Sequence, residues 1–364
     1  MGDLALVTKA LAERAEEYDR SASFPFDSID AIHGAGLLTA TVHQRYGGQG
    51  AGLAETAVSL RALGQGDPSA ALIAAMTMFA HALQGSEPTW PDDVYTAAVS
   101  EAGQRPVLIN ALRVEPELGT PARGGLPATV ASRDGDQWSL SGHKIFSTGA
   151  VGLRWMVVWA RVGGSDEARG FLVRSDSPGI RIERTWDHLG LRASRSDDVL
   201  FAGTPAIPAG PGGGGPVFLA WNSIGLTSLY LGVAAAAREW LVSFLTERTP
   251  AALGRPLATL PRFQAAVGEI DASLVTAEAL VDATALAVDD GDAAAVARAP
   301  LVKLGGTRAA IDAVSQAVAL VGNNGLTRRN PLERHLRDVL CARVHSPQDD
   351  SIAAAAGRAA FPGL

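Results

Sequence analysis

Three glycines between residues 210 and 215 have the spacing of a phosphate-binding loop. Gly210, Gly212 and Gly215 match the pattern G-x-G-x-x-G, in which glycines let the backbone approach the diphosphate of a dinucleotide. That chemistry also requires an acidic residue about 20 residues further on, which binds the ribose, and a second βαβ unit. The first acidic residue after the loop is Glu239, and no second unit is evident. The glycines therefore predict a surface loop or a domain hinge.

The single cysteine, Cys341, is a second candidate for chemistry. One cysteine excludes an internal disulfide framework and fits a reducing cytoplasm, so we predict a cytoplasmic protein. Cys341 lies in a predicted helix just before His345, and we do not expect it to act as a nucleophile. We also predict no metal site.

The composition excludes several classes of protein. The 364 residues are 47% hydrophobic and only 19% charged, which is too apolar for a disordered chain. The formal charge of −7 excludes an overall nucleic-acid-binding character. The N-terminus lacks the basic and apolar regions of a signal peptide, so none is expected.

The stretch between Asp198 and Arg238 contains no charged residue and raises the question of a membrane span. Prolines and the glycine run interrupt its first half, and Asn222 and Ser223 add polar groups to the second. We therefore predict no membrane segment, but a helix buried in a bundle or in a subunit interface.

The segments that must position any site change from helical to extended and back. Residues 1–105 show helical spacing of apolar residues, and Asp67-Pro68 is a typical helix start. Residues 106–208 have the pattern of strands, with a hairpin at Asp134-Gly135. Helical spacing returns in residues 209–364, near 217–247, 261–289, 293–321 and 331–345. The sequence thus predicts a mainly α protein with an N-terminal helical domain, an antiparallel, barrel-like β domain and a C-terminal four-helix bundle.

This order of domains and several short strings resemble the acyl-CoA dehydrogenase superfamily of flavoproteins, over essentially the whole chain. The string 138–150, WSLSGHKIFSTGA, is similar to the family's G-x-K-x-x-I-T-N strand. The resemblance implies that FAD or FMN is bound, with Phe146 against the isoalloxazine and Thr148 donating near flavin N5. An apolar face and a donor suit a flavin, because negative charge builds up on it during reduction.

Other strings imply the rest of a flavin site. Residues 115–120 look like the family's T-E-P-x-x-G-S loop, with Val114 in place of its leading Thr. The string around Arg248 and Gln264 resembles a segment whose arginine reaches the flavin diphosphate of a neighbouring subunit, which implies a homo-oligomer, a dimer or a tetramer. The glycine loop 322–326 resembles the family's G-G-x-G-F string. The cofactor-binding residues implied in this way are Glu115, Gly119, Thr120, Phe146, Thr148, Arg248, Gln264, Asn323, Asn324 and Gly325.

The family's catalytic carboxylate is missing. An acyl-CoA dehydrogenase needs a general base that removes the α-proton while hydride moves to flavin N5. In most relatives this Glu lies eight residues beyond the Asp of an R-D pair, here Arg337-Asp338, and that position is Ser346. In other relatives it lies on the first helix of the bundle, where this chain has Asn222. Asp349 or Asp350 could act as a relocated base.

A second branch of the superfamily, the two-component flavin monooxygenases, lacks that Glu and takes reduced flavin from a partner reductase. Its members often carry a histidine where His345 lies, a string similar to 146–149, and a histidine on the helix of His81. The resemblance implies His345, His81 and Ser147 as catalytic residues, and a histidine can move protons near neutral pH. The residues alone also allow structural roles: a helix-interface histidine for His81, a surface histidine for His345 and a helix C-terminal partner for Arg248.

The sequence therefore predicts a flavin-dependent oxidoreductase, and the missing Glu favours a reaction of monooxygenase type on a small molecule, with a flavin reductase as a possible partner. One alternative is desaturation of an acyl-CoA or acyl-carrier-protein thioester by a relocated base. Another is an inactive scaffold that kept the fold, since a fold does not determine a function. The substrate and the choice between FAD and FMN do not follow from the sequence.

Overall fold

The structure, a computed structural model, describes residues 3–118, 125–210 and 214–361. Helices come first, then a sheet, then helices again, which confirms the predicted three-part order. The N-terminal helices are α1 Leu4–Ser21, α2 Phe26–Gly34, α3 Leu53–Gly66, α4 Pro68–Ser86 and α5 Asp92–Ala102. The C-terminal helices are α6 Pro216–Glu247, α7 Pro261–Asp289, α8 Ala293–Val321, α9 Asn323–Leu326, α10 Leu332–Leu340 and α11 Asp349–Ala359.

Local chemistry sets several helix ends. The Asp67 carboxylate accepts hydrogen bonds from Ser69 N and Ala70 N, with Pro68 in the first turn of α4, as the Asp-Pro pair predicts. The helix predicted near 331–345 is shorter than expected, because α10 ends at Leu340 and a 3-10 turn follows. Lys303 Nζ donates to the Ala342 carbonyl at 3.2 Å and so takes an acceptor that a longer helix would use.

The strands form a barrel-like sheet, with β1 and β6 attached at its sides. In the order β4-β2-β3-β7-β5 the last strand pairs with the first again, β1 pairs with β4, and β6 pairs with β7. Their bounds are β1 Leu108–Leu112, β2 Val130–Asp134, β3 Gln137–Lys144, β4 Leu153–Val162, β5 Ala168–Arg174, β6 Ile180–Glu183 and β7 Asp198–Pro208. The predicted hairpin is present, with Asp134 opposite Gln137 in the β2–β3 pair.

One detail of the β domain differs from the expectation of an antiparallel sheet. The pairs β1–β4 and β2–β4 are parallel, and the other described pairs are antiparallel. A short turn forces the next strand to run back, but a long connection lets the chain return in the same direction. The chain between β1 and β4 includes the whole β2–β3 hairpin, so β4 can run parallel to β1.

Helix α6 explains the uncharged stretch. It packs against α3, α4, α7, α8 and α10, so it has protein on most sides. Among the described residues it is long and apolar enough to cross a membrane, but 72% of its most apolar window is buried in the protein. A helix that is apolar all round is stable when it is surrounded in this way, as expected for the centre of a bundle.

Glycine lets α6 approach α3 closely, and replacing it is expected to destabilise the protein. A methyl group on Gly232 would lie 2.1 Å from the carbonyl oxygen of Arg61 in α3, so the two backbones would have to separate. We expect Gly232→Ala to lower the free energy of unfolding by about 1–3 kcal/mol, measured by urea denaturation. The control is Gly268→Ala in α7, where a methyl group meets nothing within 4 Å and the better helix former should be neutral or stabilising. Equal midpoints for both variants would contradict the close packing.

Candidate active site

Phe146 forms an open aromatic surface beside the β domain. It follows β3 in the left-handed conformation (φ 55°), and 52% of its surface is exposed. Its ring lies edge-on to Trp186 and His188, at centroid distances of 6.2 and 5.9 Å, and those two rings stack on each other at 3.6 Å. The left-handed conformation costs a non-glycine residue roughly 1–2 kcal/mol, so the surrounding fold must impose it.

Backbone hydrogen bonds hold the loop that carries Phe146. Ser147 N donates to Asp197 O, and Gly149 N donates to Ser194 O, which ties the loop to the segment before β7. This segment contains the 3-10 turn Arg192–Ser194. Gly149 also lies against Ile73, so the loop lies between the β domain and α4.

Two hydroxyl groups lie next to this aromatic surface. Thr148 Oγ1 accepts a hydrogen bond from Ser196 Oγ at 3.1 Å, which leaves the Thr148 proton free to donate elsewhere. Ser147 Oγ is buried and has no partner among the described residues. Because an unpartnered buried hydroxyl costs about 1–3 kcal/mol, this arrangement fits a bound group that supplies a polar atom there. An exposed ring with adjacent donors is a set that a flavin ring can use.

His345 lies against α6, where it contacts Tyr230. The Tyr230 hydroxyl is 2.5 Å from His345 Nδ1. Burial raises the pKa of Tyr230 well above its usual value, so the phenol keeps its proton and donates it to Nδ1. Burial, helped by the charge of Lys303, lowers the pKa of His345 to about 4, so the ring is neutral and its own proton is on Nε2. Nε2 makes no hydrogen bond with the described residues, so this N–H is a free donor.

The two positions at which the resemblance implies a catalytic carboxylate meet in the structure. Asn222, near the start of α6, donates from Nδ2 to the carbonyl oxygen of Ser346 at 2.5 Å. The nearby Asp349 is turned away towards α8, with its oxygens 4.0 Å from Lys303 Nζ and 3.7 Å from Arg308 Nε. Asp350 is exposed and accepts a hydrogen bond from Ser351 N. Among the described residues, no carboxylate is hydrogen-bonded to Asn222, Ser346 or His345.

His81 does not join these residues. It is fully buried in α4, and its Nδ1 is hydrogen-bonded to the Tyr95 hydroxyl at 2.8 Å. Burial lowers its pKa to about 4, so the ring is neutral. His81 lies eight residues beyond Ile73, the residue of α4 that lies against Gly149. Eight residues of helix rise about 12 Å, so His81 lies about 12 Å further along the axis of α4 than the loop of Phe146. This geometry favours the structural alternative, a histidine in the interface between α4 and α5.

Glu115, predicted to contact a cofactor, has a structural role within the β domain. Its buried carboxylate accepts hydrogen bonds from Lys144 Nζ, Thr129 Oγ1, Thr129 N and Ala128 N. Three of these donors bind Oε1 and one binds Oε2, so the carboxylate fixes Lys144 and the backbone at 128–129, and its contact with a cofactor stays a prediction. Gly119 and Thr120, from the same string, lie outside the described residues.

Five further predicted cofactor residues lie in or next to the C-terminal helices, and all of them except Gly325 are exposed. Arg248 follows the last residue of α6 and is exposed, and Gln264 in the first turn of α7 donates to Ala258 O. In α9, after α8, Asn323 and Asn324 are exposed, and Gly325 is buried. Since α7 and α8 run in opposite directions, these groups share one end of the bundle, and their contact with a cofactor stays a prediction.

Sequence reasoning missed three aromatic or polar partners of the site. Tyr230 lies eight residues after Asn222, and this spacing puts both on the same side of α6. The sequence therefore contained a pattern that could have indicated Tyr230. Trp186 and His188 lie in an irregular segment, and no periodicity indicates that they stack beside Phe146.

Comparison with known proteins identifies the family. Models of the N-terminal, middle and C-terminal domains of acyl-CoA dehydrogenases match residues 5–87, 113–204 and 224–349. The putative acyl-CoA dehydrogenase YdbM of Bacillus subtilis is 30% identical to this chain and covers 97% of it and 94% of its own length.

Solved structures have the same fold. KijD3 in complex with FMN and a dTDP-linked amino-keto sugar is 27% identical, with a TM-score of 0.82 over 98% of this chain and 92% of its own. The dibenzothiophene monooxygenase TdsC from Paenibacillus is 20% identical, with a TM-score of 0.84 over 99% and 96%, and shows the fold alone. From these matches and the common order of domains, the chain belongs to the acyl-CoA dehydrogenase family.

Proposed function

We propose that this flavin-dependent oxidoreductase uses reduced flavin and oxygen to oxygenate a small molecule. The observation that carries the proposal is the contact between Asn222 and Ser346. Both positions known to hold the base for α-proton removal come together here, and neither has a carboxylate. A desaturating enzyme needs that base within hydrogen-bond reach of its substrate.

The residues of the site have tasks that fit this reaction. A bound flavin would supply the electrons that reduce oxygen. Phe146 offers an apolar ring, and Thr148 and Ser147 can donate hydrogen bonds to polar atoms of the ring system. His345 holds its proton on Nε2, because Tyr230 occupies Nδ1. We infer that Nε2 donates to oxygen or to a substrate hydroxyl.

We infer that FAD or FMN is the cofactor, and FMN is supported by KijD3, which was solved with FMN bound. A reductase in the cytoplasm would supply the reduced flavin. A homo-oligomer, a dimer or a tetramer, is supported by the exposed apolar side chains of α7, where Val275 and Leu286 share one face and are 65 and 58% exposed. Such a face is typical of a subunit interface.

Mixing the oxidised flavoprotein with butyryl-CoA or palmitoyl-CoA under anaerobic conditions is expected to leave the visible absorbance of the flavin unchanged. Neither Asn222 nor Ser346 can remove the α-proton, so we expect no hydride transfer to the flavin. Stopped-flow absorbance measures this directly. Ser346→Glu and Asn222→Glu restore a carboxylate at the two positions and serve as comparisons. Rapid bleaching of the wild-type protein by a thioester would refute the proposal.

Thioester desaturation is the second candidate, because the Bacillus relative is named a putative acyl-CoA dehydrogenase. It would require Asp349 to leave Lys303 and Arg308 and to reach the substrate. Asp349→Asn would then abolish any bleaching, whereas the exposed Asp350→Asn would preserve it.

Phe146→Gly is expected to weaken FMN binding about tenfold with little loss of stability. An aromatic contact is worth about 1.5 kcal/mol, and glycine adopts the left-handed conformation without cost. Fluorescence titration gives the affinity, and thermal denaturation gives the stability. Phe26→Ala removes a similarly exposed phenylalanine from α2 and should bind FMN like the wild type. If no variant, and not even the wild type, binds FAD or FMN, the inactive-scaffold alternative is correct.

A further inference from the structure

A polar cleft lies outside the candidate active site, where α1, α10 and the segment between β6 and β7 meet. Its volume is about 250 Å³, which suits a small group and not a whole nucleotide. Three acidic side chains line it, from Glu16, Asp19 and Glu333. Five arginines also line it: Arg20, Arg192, Arg328, Arg334 and Arg337.

The acidic side chains of the cleft are already paired. Arg337 binds Asp19 through two hydrogen bonds of 2.9 and 2.6 Å, and binds Glu333 through two of 2.8 and 3.0 Å. Glu16 is paired with Arg20 within α1. None of these three carboxylates accepts a hydrogen bond from Arg192, Arg328 or Arg334 in the described part of the chain.

Arg192 and Arg328 differ in how they are used. Arg192 donates to the carbonyl oxygens of Asp19 and His188, and so it is held in place by the backbone. Arg328 is exposed at the mouth of the cleft and makes no hydrogen bond or ion pair with the described residues. Its guanidinium remains available to a ligand.

Arg334 is the unusual residue of the cleft. Only 8% of it is exposed, and its Nε is buried without a partner among the described residues. Asp67 and Asp338 attract it electrostatically, but their carboxylates accept hydrogen bonds from backbone N–H groups of Ser69, Ala70 and Leu191. A buried Nε–H without an acceptor is costly, and an oxygen of a ligand bound in the cleft would accept from it.

We propose that this cleft binds a phosphate group, as inorganic phosphate or a small phosphomonoester, between Arg328 and Arg334. The Nε–H of Arg334 and the exposed guanidinium of Arg328 have no acceptor among the described residues, and the planar fork of an arginine suits phosphate oxygens. The cleft adjoins the Phe146 surface through His188, but Phe146, Trp186 and His188 do not line it, and phosphate binding here does not depend on the proposed oxygenation.

Thermal denaturation of the FMN-loaded protein with inorganic phosphate tests the proposal. At 20 mM phosphate, against chloride of the same ionic strength, we expect the Tm to rise by roughly 2–5 °C. Arg328→Gln, at an exposed position that folding does not require, should weaken phosphate binding at least tenfold. Arg329→Gln is the matched control, since this exposed neighbour does not line the cleft. In folded Arg334→Gln protein, phosphate should no longer raise the Tm.

Three results would overturn the proposal. The first is a Tm that chloride raises as much as phosphate does. The second is an equal phosphate shift in Arg328→Gln and the wild type, which would place the anion elsewhere. The third is a shift that appears without flavin but disappears when FMN is saturating, which would assign the anion site to the phosphate of the flavin. None of these measurements requires turnover, so the result is independent of the reaction that the enzyme catalyses.

Discussion

Replacing His345 with glutamine is expected to raise the rate at which hydrogen peroxide is released, by about 10- to 100-fold, when the FMN-reduced protein meets oxygen without substrate. In the wild type, the Nε2–H of His345 is positioned by Tyr230 and can hold oxygen by a hydrogen bond while it is reduced. A hydrogen bond to a charged group is worth about 1.5–3 kcal/mol, which corresponds to that range of rates. Stopped-flow absorbance measures the reoxidation of the flavin, and a peroxide assay measures the hydrogen peroxide that is released.

Tyr230→Phe is the sharper variant, because it removes only the hydroxyl that sets the His345 tautomer. We expect a smaller effect in the same direction, since the proton is then shared between Nδ1 and Nε2. His43→Gln changes an exposed histidine outside the site and should behave like the wild type. Unchanged peroxide release in both His345→Gln and Tyr230→Phe would assign His345 a structural role.

The pH dependence gives an independent check on His345. Burial and Lys303 lower its pKa to about 4, so the ring is neutral throughout pH 5–8 and becomes charged only as the pH falls through 4. We therefore expect no inflection near pH 6.5 in the rate of peroxide release. An inflection there that His345→Gln removes would show that the ring is more exposed than its contacts indicate.

Glu115→Gln is expected to lower the free energy of unfolding by about 3–5 kcal/mol. Glu115 and Lys144 are 2% and 0% exposed, and their charged groups are 2.6 Å apart, so removing one charge leaves the other buried and uncompensated. The Glu115 carboxylate also accepts hydrogen bonds from the backbone N–H groups of Ala128 and Thr129, so it connects the chain at position 115 to the chain at positions 128 and 129. Urea denaturation measures the loss.

The neighbouring Glu117→Gln provides a matched control, because Glu117 is exposed and the expected change is below about 0.5 kcal/mol. The double variant Glu115→Gln, Lys144→Met should recover part of the lost stability, since it removes both buried charges. Burial by itself would raise the pKa of Glu115, but hydrogen bonds from Lys144 and Thr129 outweigh it and hold the pKa below its usual value. The stabilisation by the ionised Glu115 is therefore present above the usual pKa of a glutamate, and it is lost as the pH falls through the lowered pKa of Glu115.

The helices and most strands could be predicted because they depend on local patterns. Apolar spacing predicted α7 and α8 with their observed ends and α6 within one residue, and Asp134-Gly135 predicted the β2–β3 hairpin. These signals come from neighbours in sequence, so one chain contains them. The parallel β1–β4 pair was not predicted, since pairing between distant strands has no local signal.

The candidate site shows the same division. The string around Phe146 and the absence of a carboxylate at 222 and 346 were readable in the sequence, because both depend on residue identity at known positions. Only the tertiary structure decided which of these groups form hydrogen bonds with each other. The pairs are Asn222 with Ser346, Tyr230 with His345, Glu115 with Lys144 and His81 with Tyr95. These contacts join residues 14 to 124 positions apart. The sequence determined which chemical groups are present, whereas packing determined which of them meet, because burial and hydrogen bonding act on neighbours in space.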